Sequence, residues 1–259
     1  MVTGVLPTAL ESATKAIQIL LLNGKEYVCM MRLHSEIPKD DVQRVLTEFV
    51  GDIYQRPPLR SSVRRVIRIR TIYYIKILEI TDALVLFRVG CQAGTYIRKL
   101  CHDVGQALGT GAHMKELRRT RTGPFTENDM LVSLYDLKYA STIYKENKDE
   151  TYLRQVIQPI ERSLAVTPKL WIRDSAVNAI CHGADLAIPG ILKLESGIKP
   201  GDMTAILTQK GEVVALAEAL MTTENISNQN RGIAVKTKRV VMDQDTYPTL
   251  WKKHKTEHQ

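Results

Sequence analysis

The chain has 259 residues, of which 44% are hydrophobic and 25% are charged, and its formal net charge at pH 7 is +8. These values are typical of a globular protein of one or two domains. Its four cysteines form no CxxC pair and have no histidine at metal-ligand spacing, which argues against structural zinc and against a disulfide framework. The mainly apolar stretch at 17–22, which contains Gln18, is too short to span a bilayer.

The first two thirds of the chain are predicted to contain both helices and strands. The spacing of apolar residues predicts, in chain order, a helix over 9–21, a strand over 27–33, a helix over 39–50, strands over 66–80 and 84–89, and a helix over 95–108. In the first helix, apolar residues are expected on one side at Leu10, Ala13, Ile17, Leu20 and Leu21. In the long strand, one face is expected to carry Ile67, Ile69, Tyr73, Ile75 and Ile77. The two prolines in 55–59 predict an extended loop.

The last predicted helix has recognisable ends. Thr95 can cap its N-terminus, and Gly109 can end it in a left-handed conformation. Its apolar residues fall on one stripe, which predicts that this stripe packs against the sheet.

The composition changes near Pro168, where short β-rich runs with Gly and Pro between them begin. These runs are 170–172, 203–207, 213–219 and 232–241. We therefore expect an α+β protein, in which a mixed, mainly antiparallel sheet flanked by helices precedes a small β-barrel-like domain. The predicted boundaries are 1–165 for the first domain, 166–247 for the second and 248–259 for a polar tail.

Positive charge is concentrated in two segments. Six arginines and no acid lie between 56 and 70, and a second basic cluster lies at 115–121. Clustered cations favour a polyanionic partner such as nucleic acid, although a solvated basic surface would explain them equally well. The candidate RNA contacts in these segments are Arg60, Arg64, Arg65, Arg68, Arg118 and Arg119.

The junction at 89–100 contains candidate functional residues. A strand ends there in a glycine-flanked turn and leads into a helix whose first turn contains Tyr96 and Arg98. Side chains at such a junction project over the end of the strand and are well placed to bind a ligand. A second interpretation remains open, in which Tyr96 packs in the core and Arg98 pairs with an acid.

Two other motifs in this helix are interpreted as structural. Neighbouring residues on a helix point about 100° apart, so Cys-His-Asp at 101–103 cannot form a nucleophile–base chain. Asp103 lies about 140° around the axis from Arg98 and is not expected to face it. Gly-Thr-Gly at 109–111 lacks the preceding strand and the lysine of a phosphate-binding loop.

Several sequence motifs occur at fixed spacing on both sides of this junction. The segment 91–125 contains CQAGTYIRKL, DVG, LGTGAH and LRRTRTGPF, and PPLRS at 57–61 and IYYIKILEI at 72–80 precede it. Together they resemble the motifs of the TruB-type pseudouridine synthase family. Their residues are most similar to those of its archaeal and eukaryotic dyskerin-like branch. The run DSAVNAICHGADLAIPGI at 174–191 is similar to the PUA domain of dyskerin-like proteins.

The resemblance implies an isomerase that converts uridine to pseudouridine in RNA without a metal or cofactor. It implies that Tyr27 stacks on the extruded target base and that Tyr96 is the second active-site tyrosine. It also implies that Arg98 forms an ion pair with the catalytic aspartate and that Leu117 forms an apolar wall of the pocket. An aspartate beside a guanidinium stays ionised, and its role as either a nucleophile or a base at the sugar requires the ionised form.

The resemblance further implies partners. In dyskerin-like proteins the PUA domain holds the ACA end of a guide RNA, and the glycine-rich turn at Gly183 and Ala184 would let RNA approach the backbone closely. The expected partners are guide RNA, substrate rRNA or tRNA, and the small proteins of the H/ACA particle, with no membrane. The expected location is cytoplasmic for an archaeal-like protein or nucleolar for a eukaryotic one.

The sequence departs from the family pattern at its start. In the family, the catalytic aspartate belongs to a Gly-Thr-Leu-Asp-Pro motif directly before the equivalent of Val2, and this motif is absent here. We therefore expect an incomplete copy of a guide-dependent synthase that binds RNA but does not isomerise uridine. Two alternatives stay open: a protein that only binds RNA, and a stand-alone synthase acting on the TΨC loop of tRNA.

Overall fold

The structure is a computed structural model that describes residues 2–57, 63–129 and 131–249. It divides into two compact units. The first contains the described residues of Met1–Pro7 and Leu21–Asp136, and the second contains those of Thr8–Leu20 and Leu137–Gln259. Part of the loop predicted at 55–59, and most of the polar tail predicted from 248, lie outside the described residues.

The first unit is built on a seven-stranded sheet. Its strands are β1 (Val2–Gly4), β2 (Lys25–Leu33), β3 (Gly51–Gln55), β4 (Arg68–Thr81), β5 (Leu84–Cys91), β6 (Ala112–Thr122) and β7 (Phe125–Thr126). The order across the sheet is β1-β6-β2-β5-β4-β3, and β7 pairs with β6. Only the β1–β6 pairing is parallel among the described strands of this sheet, which confirms the expected mixed, mainly antiparallel architecture.

Two helices cover one face of this sheet and form the core with it. They are α2 (Lys39–Glu48) and α3 (Ile97–Ala107), and α1 (Ile17–Leu22) precedes β2 in the chain. Alternate residues of β2 and β5 point toward the helices because side chains of a strand alternate between its two faces. The buried cluster includes Cys29, Met31, Leu33, Val85, Phe87, Val89, Val42, Leu46, Leu100, Cys101 and Val104. The predicted apolar stripe of α3 is therefore the stripe that the core buries.

The helix predicted over 9–21 differs from the structure. A 3₁₀ turn at Glu11–Lys15 precedes α1, and Glu11 has a φ of +47°, which interrupts a regular helix. The predicted stripe is also wrong, because Leu10 and Leu21 are exposed while Ala16 and Ile19 are buried. Ala16 and Ile19 pack with residues that are distant in the chain, such as Leu164. The local periodicity of this segment cannot predict that contact.

The long strand β4 also departs from strict alternation. A bulge between Ile72 and Tyr74 shifts its register against β5. Ile72 is consequently 1% exposed, whereas Tyr73, predicted to share the face of the inward isoleucines, is 50% exposed. A single additional residue at a bulge changes which side chains reach the core.

The second unit contains a six-stranded sheet with its own core. Its strands are β8 (Lys169–Ile172), β9 (Leu186–Ala187), β10 (Ile191–Leu194), β11 (Met203–Leu207), β12 (Val213–Ala219) and β13 (Ile233–Val240), in the order β10-β8-β11-β12-β13-β9. Its helices are α4 (Leu134–Asn147), α5 (Thr151–Val156), α6 (Asp174–Cys181) and α7 (Thr223–Asn228). The four β-rich runs predicted from the sequence correspond to β8, β11, β12 and β13. The short strands β9 and β10 were not predicted.

None of the helices in the described parts of the chain combines the length and apolarity needed to cross a membrane.

Gly105 allows α3 to lie directly on the start of β6. A Cβ atom at this position would lie 2.1 Å from the backbone nitrogen of Ala112, and the Gly105 carbonyl accepts a hydrogen bond from the Gly111 N–H at 2.9 Å. Alanine normally stabilises a helix relative to glycine by about 1 kcal/mol. Here the added Cβ would overlap with backbone atoms, which cannot rotate away. The substitution should therefore destabilise the protein.

We expect Gly105→Ala to lower the free energy of unfolding by about 2 kcal/mol or more, the range of an overpacked core. Gly109→Ala is the control, because Gly109 has a φ of +74° but open space around it, and strain alone should cost about 1 kcal/mol. Denaturant unfolding of both variants measures the difference. An equal loss in both would contradict the packing argument.

Candidate functional site

Tyr27 lies near the start of β2, the central strand that pairs with β5 on one side and β6 on the other. Its cross-strand neighbours are Val89 and Arg119, and its ring packs half-buried against the core of the first unit. Burial raises the pKa of the Tyr27 hydroxyl, and the nearby Cys91 adds to this rise, while the adjacent Arg119 guanidinium opposes it. The Tyr27 hydroxyl is therefore neutral at pH 7.

A bulge in β6 determines which residue lies beside Tyr27. Glu26 pairs with Arg121 and Tyr27 pairs with Arg119, so Thr120 is the additional residue between them. The Thr120 hydroxyl donates to Oε1 of Glu26 at 2.6 Å, and the Tyr74 hydroxyl donates to Oε2. Bulges of this kind occur next to active sites, where they redirect a side chain.

Arg119 connects Tyr27 to the first strand of the sheet. Its Nε donates to the Val5 carbonyl at 2.6 Å, and the Val5 N–H donates to the Arg119 carbonyl at 2.8 Å. Gly4 pairs with Arg119 in the parallel register of β1 and β6. This guanidinium is half-buried and has internal partners, so the role in RNA binding predicted for Arg119 remains a prediction.

Lys25 is a further cation at this end of β2, which the sequence analysis did not select. Its Nζ donates to the carbonyls of Leu21 at 2.9 Å and Asn23 at 2.8 Å. Burial lowers the pKa of Lys25, and the positive charge of Arg119 lowers it further, against an opposing effect of Cys91.

Tyr96 is the N-cap residue of α3, and Arg98 lies in its first turn. The backbone of Tyr96 is extended, with φ −95° and ψ 99°, and Thr95 does not cap the helix as predicted. The Thr95 hydroxyl donates instead to the Gln92 carbonyl at 2.7 Å. The Arg98 side chain is exposed, and no ion pair or side-chain hydrogen bond involves it among the described residues.

Two residues connect these features and were not selected from the sequence. Cys91, at the end of β5, lies near Tyr27 and beside the Thr95 hydroxyl, and burial raises the pKa of its thiol to about 11. Gln55, at the end of β3, is 1% exposed and hydrogen-bonds both peptide atoms of Tyr96. Neither interaction follows from local periodicity, since one joins two strands and the other joins a strand to the start of a helix.

Leu117 is buried in β6, where it pairs with Cys29 and belongs to the core cluster. It also lines a shallow depression with Val28 and Met30. Its predicted role as a wall of the base pocket remains a prediction. Asp103, which the sequence analysis excluded as a partner of Arg98, pairs with Lys99 on the same helix.

The predicted RNA contacts of the first unit differ in their surroundings. Arg64 and Arg65 are exposed, and Arg65 Nε donates to the Pro57 carbonyl at 3.3 Å. Arg68 is half-buried, and its guanidinium donates to the Arg64 carbonyl at 3.4 Å. Arg118 is paired with Glu127. Arg60 lies outside the described residues.

Gly183 and Ala184, in the second unit, follow the C-terminus of α6. Gly183 has a φ of +87°, with no atom within 4 Å of the position a Cβ would occupy. Its N–H donates to the Ile180 carbonyl at 2.8 Å, and the Ala184 N–H donates to the Ala179 carbonyl at 3.0 Å, as in a glycine-terminated helix. These two N–H groups already donate hydrogen bonds within the protein. A ligand could therefore contact only the open surface around the Cα of Gly183.

Across the described parts of the chain, no group of three or more His, Cys, Asp or Glu side chains is arranged to hold a metal ion.

Three family models match the chain in succession. The TruB family pseudouridylate synthase N-terminal domain matches residues 1–97, the tRNA pseudouridylate synthase B C-terminal domain matches 98–165, and the PUA domain matches 168–241. The fold and the site thus define a pseudouridine synthase core followed by a PUA domain. The chain belongs to the TruB family of pseudouridylate synthases, which confirms the resemblance recognised in the sequence.

Close relatives support this assignment. The chain is 56% identical to the probable tRNA pseudouridine synthase B of Methanosarcina barkeri, over 97% of this chain and 74% of that protein. It is 58% identical to the protein of the same name from Methanopyrus kandleri, over 96% of this chain and 74% of that protein. The chain therefore spans about three quarters of the length of these relatives.

Solved structures show the same fold. A Cbf5–Nop10–Gar1 complex contains a chain 55% identical to this one, with a TM-score of 0.91 over 96% of this chain and 76% of that chain. An H/ACA ribonucleoprotein bound to a substrate RNA contains one that is 52% identical, with a TM-score of 0.88 over the same shares. These likenesses confirm the dyskerin-like branch. Nothing in the structure or the comparisons supports the expected inactivity, and the boundaries predicted near 165 and 247 likewise remain predictions.

The Glu26 carboxylate beside Tyr27 should make stability depend on pH. Burial alone would raise its pKa, but hydrogen bonds from Thr120 and Tyr74 and the charges of Arg88 and Arg121 hold it below the usual value of 4.5. A lowered folded-state pKa stabilises the fold above the unfolded-state value, and this stabilisation is lost as pH falls through the folded-state pKa.

We expect Glu26→Gln to lower the free energy of unfolding at pH 7 by about 2 kcal/mol, the loss typical of hydrogen bonds to a charged group. The deficit relative to wild type should begin to shrink as pH falls below about 4.5, where the carboxyl of the unfolded state takes up a proton, and should be smallest below the lowered folded-state pKa, where the folded carboxyl is protonated too. Urea unfolding at several pH values measures this. Glu48→Gln, in an exposed ion pair of α2, is the control. A deficit that stays constant with pH would contradict the argument.

Proposed function

We propose that this protein is an RNA-guided pseudouridine synthase that isomerises uridine within a particle of guide RNA and small accessory proteins. The observation that carries the proposal is the arrangement at the ends of β2 and β5. There the half-buried Tyr27 ring lies near Cys91, and the chain that follows Cys91 leads directly to Tyr96 and the exposed Arg98.

The arrangement suits the reaction. In the isomerisation, the C1′–N1 bond of uridine breaks, a C1′–C5 bond forms, the C5 hydrogen leaves as a proton and N1 gains one. Tyr27 would stack on the extruded base, which offsets part of the cost of removing it from its neighbours. In the family pattern, Arg98 would pair with the aspartate of the Gly-Thr-Leu-Asp-Pro motif, which stands directly before the equivalent of Val2, and keep it ionised.

The accessory partners of the solved relatives motivate the guided form of the proposal. The related chains occur in complexes whose names include Nop10, Gar1 and the H/ACA ribonucleoprotein, at 51–55% identity to this chain. We infer that this chain binds equivalent partners, with the PUA unit holding the guide RNA near Gly183 and Ala184. The exposed Arg64 and Arg65 would contact phosphates, and each such contact adds to the salt dependence of binding.

A second candidate is action on tRNA without a guide. The curated relatives are named probable tRNA pseudouridine synthases, which favours a tRNA substrate. The two candidates share the site and differ only in what places the uridine in it. Turnover of tRNA in the absence of guide RNA and accessory proteins would favour the second candidate.

We expect a form of this chain that carries the family's Gly-Thr-Leu-Asp-Pro motif before Val2, with guide RNA and accessory proteins, to release tritium from RNA labelled at uridine C5, because C5 loses its hydrogen in the reaction. Arg98→Ala should reduce this rate on the order of 100-fold or more, the usual effect of removing a charge-stabilising group, and leave guide binding unchanged. Arg44→Ala, an exposed arginine of α2, is the matched control.

Each other outcome assigns a different role. Binding of guide RNA with no turnover by the form that carries the aspartate motif and an intact Arg98 would support the alternative of a protein that binds RNA without isomerising it. Loss of guide binding in Arg98→Ala would assign this arginine to docking.

We expect Gly183→Asn to weaken guide-RNA affinity about tenfold, because the new side chain would occupy the open surface where RNA is proposed to approach. Asparagine tolerates a left-handed backbone, so the fold should be little affected. Gly211→Asn is the matched control in the same unit, with the same φ of +87° and the same open surroundings. Filter binding and thermal melts measure both variants. Equal affinities in the two would remove Gly183 from the interface.

A further inference from the structure

Gln55 holds the backbone of Tyr96 through two hydrogen bonds. The Tyr96 N–H donates to Oε1 of Gln55 at 2.9 Å, and Nε2 of Gln55 donates to the Tyr96 carbonyl at 3.2 Å. The glutamine is 1% exposed, although a side-chain amide is rarely buried without such partners. Its amide therefore supplies the Tyr96 backbone with the donor and the acceptor that a paired strand would otherwise provide, at the point where α3 begins.

This double contact fixes the direction of the Tyr96 side chain. Tyr96 is extended and has no side-chain cap of its own, so its position depends on what holds its two peptide groups. The turn before it is held as well, because the Gln92 N–H donates to the Thr71 carbonyl at 2.8 Å. Arg98 follows two residues later in the same turn, and a displacement of Tyr96 would move both side chains.

We propose that Gln55 is a positioning residue for the reaction, acting through the backbone of Tyr96. The proposal rests on the proposed function, in which Tyr96 and Arg98 face the target nucleotide. Misplacement of a reacting group by about 1 Å can reduce a rate on the order of 100-fold. Gln55 does not touch the nucleotide itself and should have little effect on how tightly RNA is held.

Gln55→Leu tests the proposal because it introduces an apolar side chain of similar size and removes both hydrogen bonds. Thr71→Val is the matched control, since it removes only the bond from the Thr71 hydroxyl to Asp52 between the same strands, β3 and β4. The backbone carbonyl of residue 71, which accepts from the Gln92 N–H, and both hydrogen bonds to Tyr96 are retained. Each variant is combined with guide RNA, accessory proteins and a substrate RNA carrying 4-thiouridine at the target position. The yield of photo-crosslinks to the peptide containing Tyr96 and the dissociation constant of the RNA are measured, neither of which requires turnover.

We expect Gln55→Leu to lower the crosslink yield at least fivefold and to change the dissociation constant less than threefold, while Thr71→Val changes neither by more than about twofold. Where the wild type turns over, its single-turnover rate should fall at least tenfold in Gln55→Leu. An unchanged crosslink yield overturns the proposal. A parallel loss of RNA affinity also overturns it, because Gln55 would then support docking.

Gln55→Glu provides a second variant that separates positioning from folding. A protonated carboxyl has one donor and one acceptor, as the amide has, whereas a carboxylate would repel the Tyr96 carbonyl. The crosslink yield of this variant, relative to wild type at the same pH, should therefore rise as pH falls from 8 to 5.5, with melting temperature recorded alongside. If Gln55→Leu does not fold, this pH series decides, and a flat series overturns the proposal.

The test distinguishes failure of this proposal from failure of the proposed function. Absence of any crosslink in the wild type would contradict the proposed function. Hydrogen exchange of the Tyr96 amide would then decide the positioning claim alone. Exchange at least tenfold faster in Gln55→Leu than in wild type and Thr71→Val would support it, and equal rates would overturn it.

Discussion

The pairing of β2 on both sides is the constraint on which the site depends. β2 is hydrogen-bonded to β5 from Lys25 to Arg32 and to β6 from Lys25 to Leu33. A strand paired on both edges cannot slip without moving every side chain to the opposite face. Tyr27 therefore has a fixed depth in the sheet, and the bulge at Thr120 then determines that Arg119, rather than Thr120, lies opposite it.

The second half of the site is fixed by contacts between segments that are distant in the chain. The start of α3 is attached to β4 through Gln92 and to β3 through Gln55, and its other end is pressed against β6 at Gly105. A helix held at both ends presents its first turn at a constant place. This is how a loop-borne site gains precision from rigid elements.

The sequence was informative where a signal is local and repeated. The apolar stripe of α3 and the β-rich runs of the second unit recur at regular spacing, and their predicted elements agree with the structure. Tyr96 and Arg98 were selected from the junction of a strand and a helix, but their roles, and the selection of Tyr27, came only from the family resemblance. The helix predicted over 9–21 was wrong because its buried residues, Ala16 and Ile19, are selected by a core formed from residues after 159.

Residues that act through tertiary hydrogen bonds to distant parts of the chain left no such signal. Gln55 lies 41 residues from Tyr96, and Glu26 lies 94 residues from Thr120. A buried polar side chain is compatible with an apolar core only when its partners are present, and those partners are known only once the strands are assembled. Composition and periodicity treat Gln55 as an ordinary polar residue before a proline-rich loop.

Arg119 shows why charge clustering is a weak guide to individual contacts. It belongs to a basic cluster that suggests RNA, yet its Nε binds the Val5 carbonyl and its guanidinium lies beside Tyr27. Arg118, its neighbour, is paired with Glu127 on the exposed side of the same strand. Both cations still contribute to the long-range potential that attracts a polyanion. Their short-range roles differ because successive side chains of a strand point to opposite faces. An inward arginine can therefore support the site chemically while the residue beside it faces solvent.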